Sequence, residues 1–147
     1  MSGADAALLT IHLAATAGMM GVIWFVQVVQ YPLFAMVDTT GFAEFEGAHR
    51  RRTSLVVGPL MAIEGFCALA IVGLMRDVVG LALPLVGLAL LGAIHASTLS
   101  LQLPAHMQLE EGFDQATHRR LVASNWIRTV GWTMRVGVAG WMIIVAA

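Results

Sequence analysis

The stretch AALLTIHLAATAGMMGVIWFVQVVQYPLFAMV, from Ala6 to Val37, contains no charged side chain. A helix needs about 20 apolar residues to cross the hydrocarbon core of a bilayer, so this run is long enough. It lacks the basic n-region of a cleaved signal peptide and exceeds the length of an h-region, so it is expected to persist as a membrane anchor. The rest of the chain repeats the pattern. Thr53 to Met75 holds one charge, Glu64; Val78 to Leu109 holds none; Leu121 to Ala147 holds two, Arg128 and Arg135. The spans are placed near 8–31, 54–75, 78–103 and 125–145. Pro32 and Pro104 fall where the first and third should stop. Pro59 and Pro84 fall in the opening turns of the second and third, where proline is tolerated.

Composition agrees with this reading. Of 147 residues, 59% are hydrophobic and 12% charged, and all eight basic residues are Arg. A soluble domain carries about 25% charged residues. That argues against a soluble globule and a disordered chain, and a net charge of −1 offers nothing to nucleic acid. The single Cys67 reads as a buried small hydrophobe. The expected fold is all-α: one integral membrane four-helix bundle over residues 1–147.

The remaining charges gather in the connections. Arg50, Arg51, Arg52, Arg119 and Arg120 lie in the two longer ones, and Arg76 alone lies on the opposite side. The positive-inside rule then puts the long connections in the cytoplasm and both termini outside. Each long connection is expected to form a short interfacial helix, from Phe42, Phe45 and His49 in one and Phe113, Thr117 and Arg120 in the other. No internal repeat is visible.

Polar residues inside the spans follow helical spacing. His12, Thr16, Gln27 and Gln30 or Tyr31 mark the first; His49, Thr53 and Glu64 the second; His95, Thr98, Gln102 and His106 the third; Asn125, Arg128, Trp132 and Arg135 the fourth. With no water outside, these faces must turn toward one another. Glu64 and Arg135 each lie about 15 Å into their spans, which predicts a buried ion pair at the midplane. His95 is about 13 Å deep. Gln27, Gln102, Asn125 and Arg128 are shallower. His12 stands apart, near the opposite face. Interhelical hydrogen bonds average only about 0.6 kcal/mol. Two Arg, a Glu, three His and two Gln exceed what helix gluing asks for, and point to a cavity open to the cytoplasm.

Three chemistries fit these residues. A metal site would draw ligands from several helices, since there is no His-x-x-x-His or His-x-His pair and His95 and His106 are about 16 Å apart along a helix; no metal is expected. Haem would need facing histidines, and His12 with His95 is the available pair. A cofactor-independent oxygenase needs a base to ionise a phenol and donors to hold the oxyanion. His95 or His106 would be the base, and Arg128, Asn125 and Gln102 the donors. Gln27 would line the site with them, and Trp126 and Trp132 would stack on a flat substrate.

Gln102-Leu103-Pro104, followed by Asn125-Trp126-Ile127-Arg128-Thr129, resembles the anthrone-oxygenase-like family of small four-span membrane proteins. The resemblance implies that Asn125 and Arg128 are motif residues, with His106 near the helix 3 exit. It implies oxidation of an anthrone to an anthraquinone without a cofactor, the activity of fungal members. Helix 3 departs from many relatives, with Pro104-Ala105-His106 where they carry Pro-x-Asn. A fainter likeness, on His12, Trp24, Tyr31-Pro32-Leu33-Phe34 and the Arg-rich segment, is to the bacterial membrane protoporphyrinogen oxidase, a haem protein. The expectation is therefore an oxidoreductase of a bacterial inner membrane acting on a hydrophobic aromatic or quinone-like molecule. The alternatives are a haem-binding redox protein, a small transporter using Glu64, or a non-catalytic subunit of a membrane complex. Small residues such as Gly18, Gly21, Gly87, Gly92, Gly137 and Gly140 serve either internal packing or a homodimer.

Overall fold

In the computed structural model, which describes residues 1–147, the chain is all helix and connection, with no strand. Four helices are long and apolar enough to cross a membrane: α1 (Gly3–Phe34), α2 (Phe42–Leu74), α3 (Ala82–Leu109) and α4 (Gln115–Ala146). At 1.5 Å per residue they are roughly 42–50 Å long, against a hydrocarbon core of about 30 Å. The excess lies mostly at the end bearing the α1–α2 and α3–α4 connections. Residues expected to form separate interfacial helices there are the opening turns of α2 and α4, because nothing between Phe42 and Ser54, or between Gln115 and Asn125, breaks the helical ladder. Pro59 is consequently deep inside α2 rather than in its first turn.

The caps follow ordinary chemistry. Ser2 and Asp5 form a capping box at the start of α1. Asp114 caps α4 by accepting the Thr117 N–H at 2.7 Å, and its hydrogen bonds with Thr117 hold its carboxyl below the ordinary 3.8. A one-turn helix, Arg76–Val79, joins α2 to α3 and ends at Gly80, whose φ of +70° suits glycine.

Pro32 and Pro104 do not end their helices. Each is preceded by a π-helical turn, Val26–Gln30 in α1 and Thr98–Gln102 in α3, and each helix then continues to Phe34 or Leu109. Proline removes one N–H and its ring crowds the carbonyl four residues back. Widening the preceding turn relieves that crowding without stopping the helix. The two turns occupy matching places, Gln30-Tyr31-Pro32 and Gln102-Leu103-Pro104. The helices that follow carry matching His49-Arg50-Arg51 and His118-Arg119-Arg120. The two helical hairpins thus share these local features at the same end of the bundle.

The helices pack closely at the α1–α2, α3–α4 and α1–α4 seams, while α2 and α3 meet most loosely. Two apolar clusters fill the interior. One, around Ile23, Phe34, Phe42, Leu109 and Trp132, lies toward the long connections; the other, around Leu9, Ile71, Met75 and Met142, lies toward the termini. A polar layer of His12, Thr16, Glu64 and Arg135 separates them.

Candidate functional site

The polar layer is the floor of the site. Arg135 Nε donates to Glu64 Oε1 at 2.7 Å, and Trp132 Nε1 donates to Glu64 Oε2 at 3.0 Å. Arg135 also donates to the Gly87 carbonyl and lies 3.2 Å from His12 Nε2. All four side chains are buried. His12 therefore belongs with the ion pair instead of standing apart.

Nearer the connections, a second layer centres on His106. Its Nδ1 bonds to Glu46, a wholly buried carboxylate, and its Nε2 lies 2.9 Å from the Tyr31 hydroxyl. An ionised carboxylate only accepts, so Nδ1 carries the ring proton and Nε2 accepts from Tyr31 O–H. The result is a Glu46–His106–Tyr31 relay built from α2, α3 and α1. The His49 ring stacks at 5.8 Å from His106. Arg128, 8% exposed, donates to Asn125 Oδ1 at 3.2 Å, lies 5.4 Å from the Trp132 ring centre, and leaves Nε unpartnered.

Of these groups His49, His106 and Arg128 line, with Thr53 and Gln102, a pocket of about 150 Å³ in the loose α2–α3 seam. The two histidines of the His-Arg-Arg segments differ in their bonding. In the tight α1–α4 seam, His118 Nε2 donates to the Tyr31 carbonyl at 2.7 Å. The matching His49 makes no such bond to Leu103; its Nδ1 has only a 3.4 Å contact with Thr53, and both His49 and Leu103 face the pocket. The pocket lies beside the histidine that makes no cross-helix bond.

The expected site residues divide accordingly. His106, Arg128 and Gln102 line the pocket. Asn125 and Gln27 are one step behind it: Asn125 Nδ2 donates to Gln27 Oε1 at 2.8 Å, and Gln27 Nε2 donates to the Val122 carbonyl, so they position Arg128 rather than touch a ligand. His95 does not line this pocket, and its Nδ1 is paired with the Leu91 carbonyl of its own helix at 2.8 Å. Trp126 is 44% exposed, against Trp24 on the outer surface, and cannot stack on a ligand in the pocket. Trp132 is buried in the floor. As for a haem between His12 and His95, His12 Nε2 faces Arg135, whereas the bond of His95 Nδ1 to its own helix carbonyl leaves Nε2 unengaged.

Sequence reasoning missed Glu46 and Tyr31 as site residues. A signal existed in Glu46-Gly47-Ala48-His49, which puts a carboxylate and a histidine one turn apart on one helical face. No family model matches the chain, and neither does any curated protein or solved structure.

Proposed function

We propose that this integral membrane protein oxidises a hydrophobic phenolic or enolic aromatic, using His106 as general base and Arg128 to hold the resulting oxyanion. The observation that carries the reading is the buried Glu46–His106–Tyr31 relay, whose His106 lines a pocket that is also lined by a buried, incompletely paired Arg128. A carboxylate behind an imidazole fixes its tautomer and orientation. His106 accepts the proton at Nε2; the substrate oxygen either takes the place of the Tyr31 hydroxyl or passes its proton through it. Arg128, steadied by Asn125 and Gln27, offers charge-assisted donors to the anion. The electron-rich ring then reduces dioxygen directly. For an anthrone the balance closes with one oxygen atom entering the ring as a carbonyl, the other leaving as water, and the two methylene hydrogens going to that water.

The resemblance to the anthrone-oxygenase-like family supports the same chemistry, and with it a bacterial inner membrane. The Arg distribution supports a cytoplasmic position for the long connections and the pocket. The test is oxygen uptake and anthraquinone formation from anthrone by the purified protein in mild detergent. Wild-type protein should exceed auto-oxidation, and His106→Gln should lose about 10²–10⁴-fold in kcat, the usual range for a general base. A wild-type rate equal to that of protein-free detergent rejects the reading.

A further inference from the structure

Beside α2, on the flank away from the seam pocket, lies a larger cavity of about 460 Å³ between α1 and α2. Phe25, Val26 and Val56 form its apolar walls, and Gln30, His49 and Arg52 supply its polar groups toward the connection end. Phe25 and Val56 are more than half exposed, so the cavity opens on the lipid-facing side. We propose that this groove is the port through which a lipid-soluble phenol or enol leaves the bilayer and reaches His106. The inference rests on the reaction proposed above and names how its substrate arrives.

Three observations support it. The first is size. A cavity of about 150 Å³ holds one benzene-sized ring, so a fused polycycle cannot be contained in the seam pocket alone, whereas ligand sites span about 300–1,000 Å³. The second is continuity. His49 and Thr53 line both cavities. On α2 the groove takes Ala48, Arg52 and Val56, the seam takes Arg50, Ser54 and Val57, and positions 49 and 53 lie between them. Rotation of the His49 side chain, whose one hydrogen bond is the weak Thr53 contact and whose ring otherwise packs on Phe34 and His106, joins the two spaces. The third is charge. Arg52 has no carboxylate partner, and no acidic residue lines the groove. The groove therefore suits an acceptor oxygen or a phenolate and disfavours a cationic amphiphile.

The experiment is anthrone kinetics in lipid nanodiscs with Ala48→Trp, which fills the groove, and Arg52→Gln, an exposed change that leaves the fold alone. Ala48→Trp should raise KM about tenfold and Arg52→Gln a few-fold, both retaining kcat, whereas His106→Gln loses kcat. Unchanged KM in both groove variants overturns the port while leaving the reaction intact. If wild-type protein turns over no anthrone, the reaction fails separately, and 1-naphthol binding to the same nanodiscs decides the port. Saturable binding weakened about tenfold by Ala48→Trp and measurably by Arg52→Gln supports it; binding equal to wild type in both variants overturns it.

Discussion

Arg135 shows how a charge is kept in the interior of this bundle. Its guanidinium meets Glu64, the Gly87 carbonyl and His12, and Glu64 in turn accepts from Trp132. Removing one partner of such a pair strands the other, at a cost of about 3–5 kcal/mol, whereas replacing both with apolar groups is often neutral. Glu64→Leu should therefore lower the thermal unfolding temperature in detergent sharply, and Glu64→Leu with Arg135→Met should recover most of the loss. A double variant no more stable than the single one would show that the pair acts through something other than mutual neutralisation. The two residues lie at equal depth with opposite sign, which is legible without coordinates. The relay is less so. Glu46 precedes an Arg run and reads as a connection charge until α2 is seen to begin at Phe42. His95 follows the three-and-four spacing that ends at His106, but the π turn at Thr98–Gln102 lies between them. One extra residue in a turn rotates the following face by about 100°. A stripe drawn at constant pitch therefore carries His95 onto a face it does not occupy.

At the scale of elements, the same π turns explain why spans were easy to find and their ends were not. Apolar length declares a spanning helix, while a proline declares only a missing donor, and α1 and α3 continue past theirs. The α3–α4 seam is tight for another reason. A Cβ added at Gly131 would sit 2.7 Å from Ile94 Cγ1, so glycine is what lets the helices approach there. Gly131→Ala should destabilise the protein by about 1–3 kcal/mol through overpacking. Ile94→Val in the same background should return part of the stability, because it shortens the side chain that is struck. Thermal unfolding of the two variants in detergent checks this; equal stability of Gly131→Ala and wild type would mean that α3 moves aside without strain.

At the scale of the molecule, the α1–α4 seam packs closely and the α2–α3 seam loosely, and the site belongs to the loose one. Its end of the bundle carries Arg50, Arg51, Arg52, Arg119 and Arg120, while the far end carries Arg76. Since Lys and Arg near span ends set orientation, the pocket should face the cytoplasm. The consequence can be tested with single cysteines in a Cys67→Ala background, using a membrane-impermeant maleimide on intact spheroplasts. Asp77→Cys, in the short α2–α3 connection, should be labelled directly. Thr39→Cys, in the α1–α2 connection, should react only after permeabilisation. The opposite pattern would turn the bundle over and open the His106 pocket to the outside. Orientation thereby also fixes which compartment the α2–α3 opening faces. A substrate drawn laterally from the bilayer between α1 and α2 and released through the α2–α3 seam crosses from lipid into the cytoplasm, with α2 and its His49 between the two openings.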